Sequence, residues 1–185
     1  MSSTPAVTTT GTSTWTLDAS HSSVAFAVRH MMIANVRGHF ADFTGTVEID
    51  GDDYVSAEIA ADIDVSSITT RNNQRDEHLR SADFFDAAAF PKMTFASTKV
   101  EAVTGESVKV HGDLTIRGNT RPVTVDVTID GRGMDPWGGE RMSFTAETKI
   151  SRSAFGMTWS QAMETGGVLV GDEIRITIEG ELIRQ

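Results

Sequence analysis

The chain has 185 residues, no cysteine and a formal net charge of −10. That length fits one domain able to bury a core without staples, and the missing thiols exclude a disulfide framework, thiolate metal sites and a cysteine nucleophile. The acidic balance, with no basic stripe to offset it, argues against nucleic acid or an anionic membrane surface as a partner; surplus Asp and Glu read as charge that keeps the fold soluble.

Residues 1–14 are rich in Ser and Thr and predict a disordered tail ahead of a single domain over 15–185. They hold neither a basic n-region nor an apolar h-region, so the sequence predicts no Sec signal peptide and a cytoplasmic protein. No later segment reaches the ~18 apolar residues needed to span a bilayer.

From Trp15 onward the chain becomes a series of short segments that alternate apolar and polar residues. Trp15-Thr-Leu17-Asp18 predicts a lead-in strand. Val24, Phe26 and Val28 then share one parity, and a bent partner follows over 36–49, with the parity shift between Phe40 and Phe43 predicting a bulge. Asp50-Gly51 is a strong hairpin signal, followed by a strand over 55–65. Asp50-Gly51-Asp52-Asp53 superficially resembles a calcium loop, but Tyr54 occupies the third ligand position and the spaced Gly and Glu are missing.

Between Ser66 and Pro91 the period of two stops. Here Thr70 is read as the cap of a helix over 71–81, and Phe84, Phe85 and Phe90 follow it. Alternation returns around Met93 and Phe95, then over 108–116, 123–129, 142–150 and 174–182, with turns predicted at Thr104-Gly105, Gly118-Asn119 and Gly131-Arg132-Gly133. Residues 152–167 are irregular. The prediction is an all-β fold, an eight-stranded antiparallel barrel with a short helix and loop insertion covering one end.

By parity, Phe26, Val28, Phe43, Ile59, Met93, Phe95, Met142 and Phe144 point into the barrel, while Leu79, Phe84, Phe85, Phe155 and Met157 belong to the covering segments. Small residues interrupt the inward side at Gly45, Ala57, Ala61, Gly112, Ala146 and Gly180. Aromatic and Met stripes are ordinarily core, and inward Gly also marks strand bending. No second sheet is available to fill the space, so these residues predict a ligand-sized apolar cavity. They are the candidate binding site.

Candidates for catalysis are sparse. His30 shares the inward parity near a barrel mouth, where two roles are open: a buried imidazole satisfied by a neighbour such as Asp76 or His78, or a polar contact to a ligand headgroup. His21, His39, His78 and His111 are scattered and lack metal-ligand spacing. The Arg71, Arg75 and Arg80 cluster reads as a solvated helix face, with a phosphate contact as the alternative. No nucleophile elbow, Walker loop or dinucleotide fingerprint occurs, and the paired carboxylates lie on outward parities. Trp137, in an apparent loop, is either an anchor for a homodimer or a ring folded back over the rim.

The order of motifs resembles the YceI family of bacterial proteins. The resemblance runs from Trp15 to Ile183 and is carried by Trp15-Thr-Leu-Asp18 with His21-Ser22, Phe26-Ala-Val-Arg29-His30, and Val36-Arg-Gly38-His-Phe40 with Phe43-Thr-Gly45. Arg75-Asp76-Glu-His78-Leu79 with Asp83-Phe84-Phe85-Asp86, Phe90-Pro91-Lys-Met-Thr-Phe95-Ala-Ser97, Gly112-Asp-Leu114-Thr-Ile-Arg-Gly118 and Arg152-Ser-Ala-Phe155-Gly156 complete it. The resemblance implies a lipocalin-like barrel with a long channel for a polyisoprenoid or isoprenoid quinone, a homodimer, no other cofactor and no catalytic chemistry. Many relatives carry an export signal; none is found here. The expected function is to bind, sequester or carry such a lipid. An isomerase or cyclase acting on an apolar substrate beside His30, and a stress-related structural dimer with a filled core, are the alternatives.

Overall fold

The computed structural model describes residues 11–164 and 166–185. Its strands are β1 (Thr12–Leu17), β2 (Ser23–His30), β3 (Ala34–Phe40), β4 (Phe43–Asp50), β5 (Asp53–Asp64), β6 (Ile68–Thr69), β7 (Lys92–Thr104), β8 (Ser107–Ile116), β9 (Asn119–Met134), β10 (Glu140–Ser151) and β11 (Val170–Arg184), with one helix, α1 (Asn73–Arg80). The strand begins at Thr12, inside the stretch expected to be a disordered tail, because Thr12–Thr16 pair in register with Asp50–Thr46. The rest of that expected tail, 1–10, lies outside the described residues.

All pairings are antiparallel and the sheet closes on itself. β1 pairs with β4 on one side and β11 on the other, while β2 pairs with β3 and β11. β1 runs on into β2, β3 into β4, and β5 into β6, so the wall is an eight-stranded barrel of long, kinked strands. Three neighbouring kinks make the bend. Asp18 and Asp64 each accept the backbone N–H and the hydroxyl of the serine two residues on, Ser20 and Ser66, which turns the chain out of the ladder. Between them Ala41 donates to both Ser67 acceptors. Where a bulge in one bent strand was predicted between Phe40 and Phe43, the chain instead breaks into β3 and β4, and this break is the middle member of the seam.

Alternation sets the faces as expected. In β8, Val108, Val110, Gly112, Leu114 and Ile116 are all buried between less buried neighbours. The register shifts between Glu48 and Asp50, so Tyr54 rather than Val55 faces inward at the start of β5, and Val55 is exposed. Gly131 and Gly133 do not form the predicted turn. They lie in β9, paired with Ser143 and Arg141, next to a bulge at Asp130 opposite Ser143 and Phe144, and the turn falls at 135–139, capped by the Asp135 carboxylate.

The helix is shorter than the predicted 71–81, and Asn72, not Thr70, caps it by accepting from Arg75 N at 3.0 Å. Thr70 is buried and donates its N–H and hydroxyl to Asp76. Among the described residues no helix is long and apolar enough to cross a membrane.

Candidate functional site

An apolar cavity of about 290 Å³ runs down the barrel. Its lining reaches from Met142, packed with Trp15 near one end, to Ile150, which belongs to the core beneath the cover at the other. Eight positions of strand span about 27 Å at ~3.4 Å each, and a strand tilt of ~35–45° leaves roughly 20 Å along the axis. Phe26, Val28, Phe43, Ile59, Leu79, Phe84, Phe85, Met93, Phe95, Met142, Phe144 and Met157 all line it. Two expected site residues do not. His30 is only half-buried at the end of β2, off the cavity wall, because the β2–β3 hairpin carries it past the mouth. Phe155 is buried in the core that supports the cover rather than facing the lumen.

The inward small residues act in two ways. Ala57, Ala61 and Ala146 leave space directly. Gly112 and Gly180 are instead roofed by rings: a Cβ at Gly112 would stand 2.4 Å from Phe95, and one at Gly180 the same distance from Phe144. Gly38, outside the predicted set, is covered in the same manner by Phe26 at 2.5 Å. A ring that rests on a glycine lies against the wall instead of projecting to the axis, so the lumen stays open although the aromatic residues are large.

One end is plugged by side chains. Trp15 is almost fully buried and donates its indole N–H to Ser13 Oγ at 2.9 Å. The guanidinium groups of Arg132 and Arg184 lie 5.2 and 5.9 Å from its ring centre, and Glu140 accepts from both. Just above, β5 and β7 pair only where Ala60–Asp64 face Ala96–Lys92, and Tyr54 packs against Val100, Val108 and Val110 where the ladder parts.

The other end is covered by chain segments that stand outside the ladder and are tied down by arginines. Arg75 donates to Thr70 O, and Arg80 to Ser66 O and Ile68 O. Arg117 joins Phe84 O to Gly156 O. Arg75 and Arg80 therefore hold the cover, not a phosphate. Asp76 and His78, considered as partners for His30, are taken by Thr70 and Asp83. His78 also stands edge-on to Phe84 and Trp159, with ring centres 5.0 and 4.9 Å away.

Among the lining residues outside the predicted set, Arg152 is the charged one. It is buried, faces the cavity and donates to the carbonyls of Gly171, Met157, Trp159 and Val170. Burial pushes its guanidinium below its ordinary value, with the Asp172 charge opposing. No periodic pattern marks such a residue; the signal was an arginine inside an irregular, aromatic-rich segment.

The comparisons agree with this geometry. The YceI-like domain model matches residues 15–182. A UPF0312 protein of Staphylococcus aureus is 39% identical over 168 residues, covering 90% of this chain and 95% of that protein. The crystal structure of BcnA from Burkholderia cenocepacia superposes with a TM-score of 0.78 at 27% identity, covering 89% of this chain and 98% of that one. A polyisoprenoid binding domain from Saccharophagus degradans shares the fold, with a TM-score of 0.65 over 91% of this chain and 97% of its own, at 14% identity. With the matched segment spanning all but the first and last few residues of the barrel, and its cover, the chain belongs to the YceI-like domain family.

Proposed function

We propose that this protein binds and carries a long isoprenoid lipid, of polyprenyl or quinone type, within the barrel. The observation that carries the reading is the unbroken apolar cavity from the Trp15 plug to the arginine-tied cover. The family supports it, as does the shared fold of a domain described as polyisoprenoid binding. Each buried methylene contributes about 0.8 kcal/mol, so a chain that fills the cavity binds tightly even after its ordering costs. The described lining offers no carboxylate or imidazole; its ionisable groups are Tyr54 and Arg152, the latter held by backbone carbonyls. These features favour a container over an isomerase or cyclase. A homodimer belongs to the same reading, with the 86% exposed Trp137 as its anchor.

Native mass spectrometry of the purified protein, followed by organic extraction, tests the cargo. A co-purifying prenyl species, or stoichiometric uptake of added polyprenol by empty protein, is expected. Protein that arrives empty and takes up no prenyl lipid overturns the reading.

A further inference from the structure

The turn between β2 and β3 is built against its own backbone preference. Ile33 N donates to His30 O at 3.2 Å, and both residues between them, Met31 and Met32, adopt left-handed φ values of 52° and 62°. Turns with that conformation favour Asn and Gly, because a Cβ crowds the following carbonyl. Here methionines occupy both positions and isoleucine follows. Met31, Met32 and Ile33 are 41%, 55% and 78% exposed, so folding gains little from them. The loop preceding β11 adds to the same knob: Met31 N donates to Leu169 O, Val168 is exposed, and Met32 approaches Gly167.

The charge around this knob runs opposite to that of the chain. From Ala19 to Ala41 there is no Asp or Glu, in a protein of net charge −10. The outer face of the hairpin presents Arg29 and Arg37, and Arg175 of β11 lies in the same row as Arg37 through Ala27. All three are exposed, and the ion pairs among the described residues engage Arg132, Arg141 and Arg184 but not these. Lys149, next in that row, is paired with Glu173, and the neighbouring loop adds the carboxylate of Glu164. The most exposed large hydrophobic residue at the opposite end, Trp137, sits instead beside Asp135.

We propose that the Met31–Ile33 tip, with Arg29, Arg37 and Arg175 behind it, docks the covered end of the barrel onto an anionic phospholipid bilayer. Three consecutive apolar side chains enter the headgroup boundary while the arginines meet lipid phosphates above it. The overall acidic charge then orients the molecule, since only this end is attracted. Docking places the cover against the source of an apolar cargo. In that respect it deepens the proposed lipid-carrying function, but the docking itself stands on the hairpin alone.

Flotation of the full chain with phosphatidylcholine vesicles, with and without phosphatidylglycerol, tests the proposal. Binding that requires phosphatidylglycerol and weakens with added salt is expected. Met32→Ser and Ile33→Ser should each weaken partitioning about tenfold, and Arg29→Ser or Arg37→Ser about fivefold, while Val103→Ser, an exposed apolar residue at the opposite end, leaves it unchanged. Circular dichroism and cargo content of each variant confirm an intact barrel. The proposal falls if binding ignores phosphatidylglycerol, if the tip variants float as the parent does, or if Ile33→Ser instead converts a dimer to a monomer in the absence of vesicles. Protein that floats but carries no prenyl lipid overturns the cargo reading alone; loaded protein that ignores vesicles overturns the docking alone.

Discussion

At the Trp15 end the barrel is closed by side chains standing on hydrogen-bonded strands, and its turns use glycine where φ is positive, at Gly51, Gly105 and Gly138. At the covered end closure is by backbone: α1, the Phe84–Phe85 segment and the loop after β10, held by arginines that donate to carbonyls. The non-glycine residues with positive φ that are described, Met31, Met32, Arg71, Asp86 and Arg117, all belong to this second end. One end is thus relaxed and built into the ladder, the other strained and outside it. Opening the first means displacing the buried Trp15 and the arginines paired over it, whereas opening the second means releasing a few arginine contacts, so on the proposed lipid-carrying reading exchange is expected at the covered end.

The sharpest way to break this comparison is to weaken each end separately. Trp15→Ala empties a fully buried site and should cost about 3–5 kcal/mol of stability by denaturant titration, with little change in the rate of lipid release from folded protein. Faster release in that variant would mean that the plug, too, is a door. Arg152→Met should cost less, about 2–3 kcal/mol, because it strands buried carbonyls without opening a large void. It should also speed release strongly, and Arg152→Lys should not restore the parent rate, since an ammonium lacks the planar fork that reaches four carbonyls. Unchanged release in both would remove Arg152 from the cover.

Filling the space between the ends is the next test. Ala146→Phe should strain the barrel by ~1–3 kcal/mol and abolish lipid uptake, read by mass spectrometry. Gly112 is unsuitable for the same experiment, because any side chain there meets Ala96 O at 2.5 Å as well as the Phe95 ring. Uptake equal to that of the parent would mean that the cargo does not pass Ala146. Phe85, edge-on to Phe40 at 5.9 Å and only partly buried, acts more locally. Phe85→Ala should accelerate dissociation several-fold while moving the melting temperature less than Trp15→Ala does.

The smallest effect lies beside the seam. The Asp18 carboxylate holds His21 above its ordinary value, so that contribution to stability is present in mild acid and fades as pH rises through the folded value. Asp18 itself is held low by Ser20 and then His21, a contribution lost only in strong acid. His21→Asn should therefore destabilise slightly at acid pH and approach the parent above neutrality. A difference that grows with pH would show the pair to be unimportant.

The barrel was legible because its evidence is local. Alternation in β8 or β10 states which side is dry whatever the neighbouring strand is, and a closed sheet is the way to shelter that many dry sides without a second layer. The lining residues on regular strands followed from parity alone. His30 failed because parity gives the side a residue faces but not whether the strand has run past the mouth. Phe155 failed because an irregular segment has no parity to read.

What the sequence determined by itself was therefore the strand count, which face of each regular strand is dry, and the presence of a cover. The tertiary structure alone decided that Phe26, Phe95 and Phe144 rest on Gly38, Gly112 and Gly180, that the cover is tied by arginines donating to backbone carbonyls, and that Met31–Ile33 stand out beside Arg29 and Arg37. These are contacts between residues distant in the chain. Their free energy depends on register and closure, which no window of sequence contains.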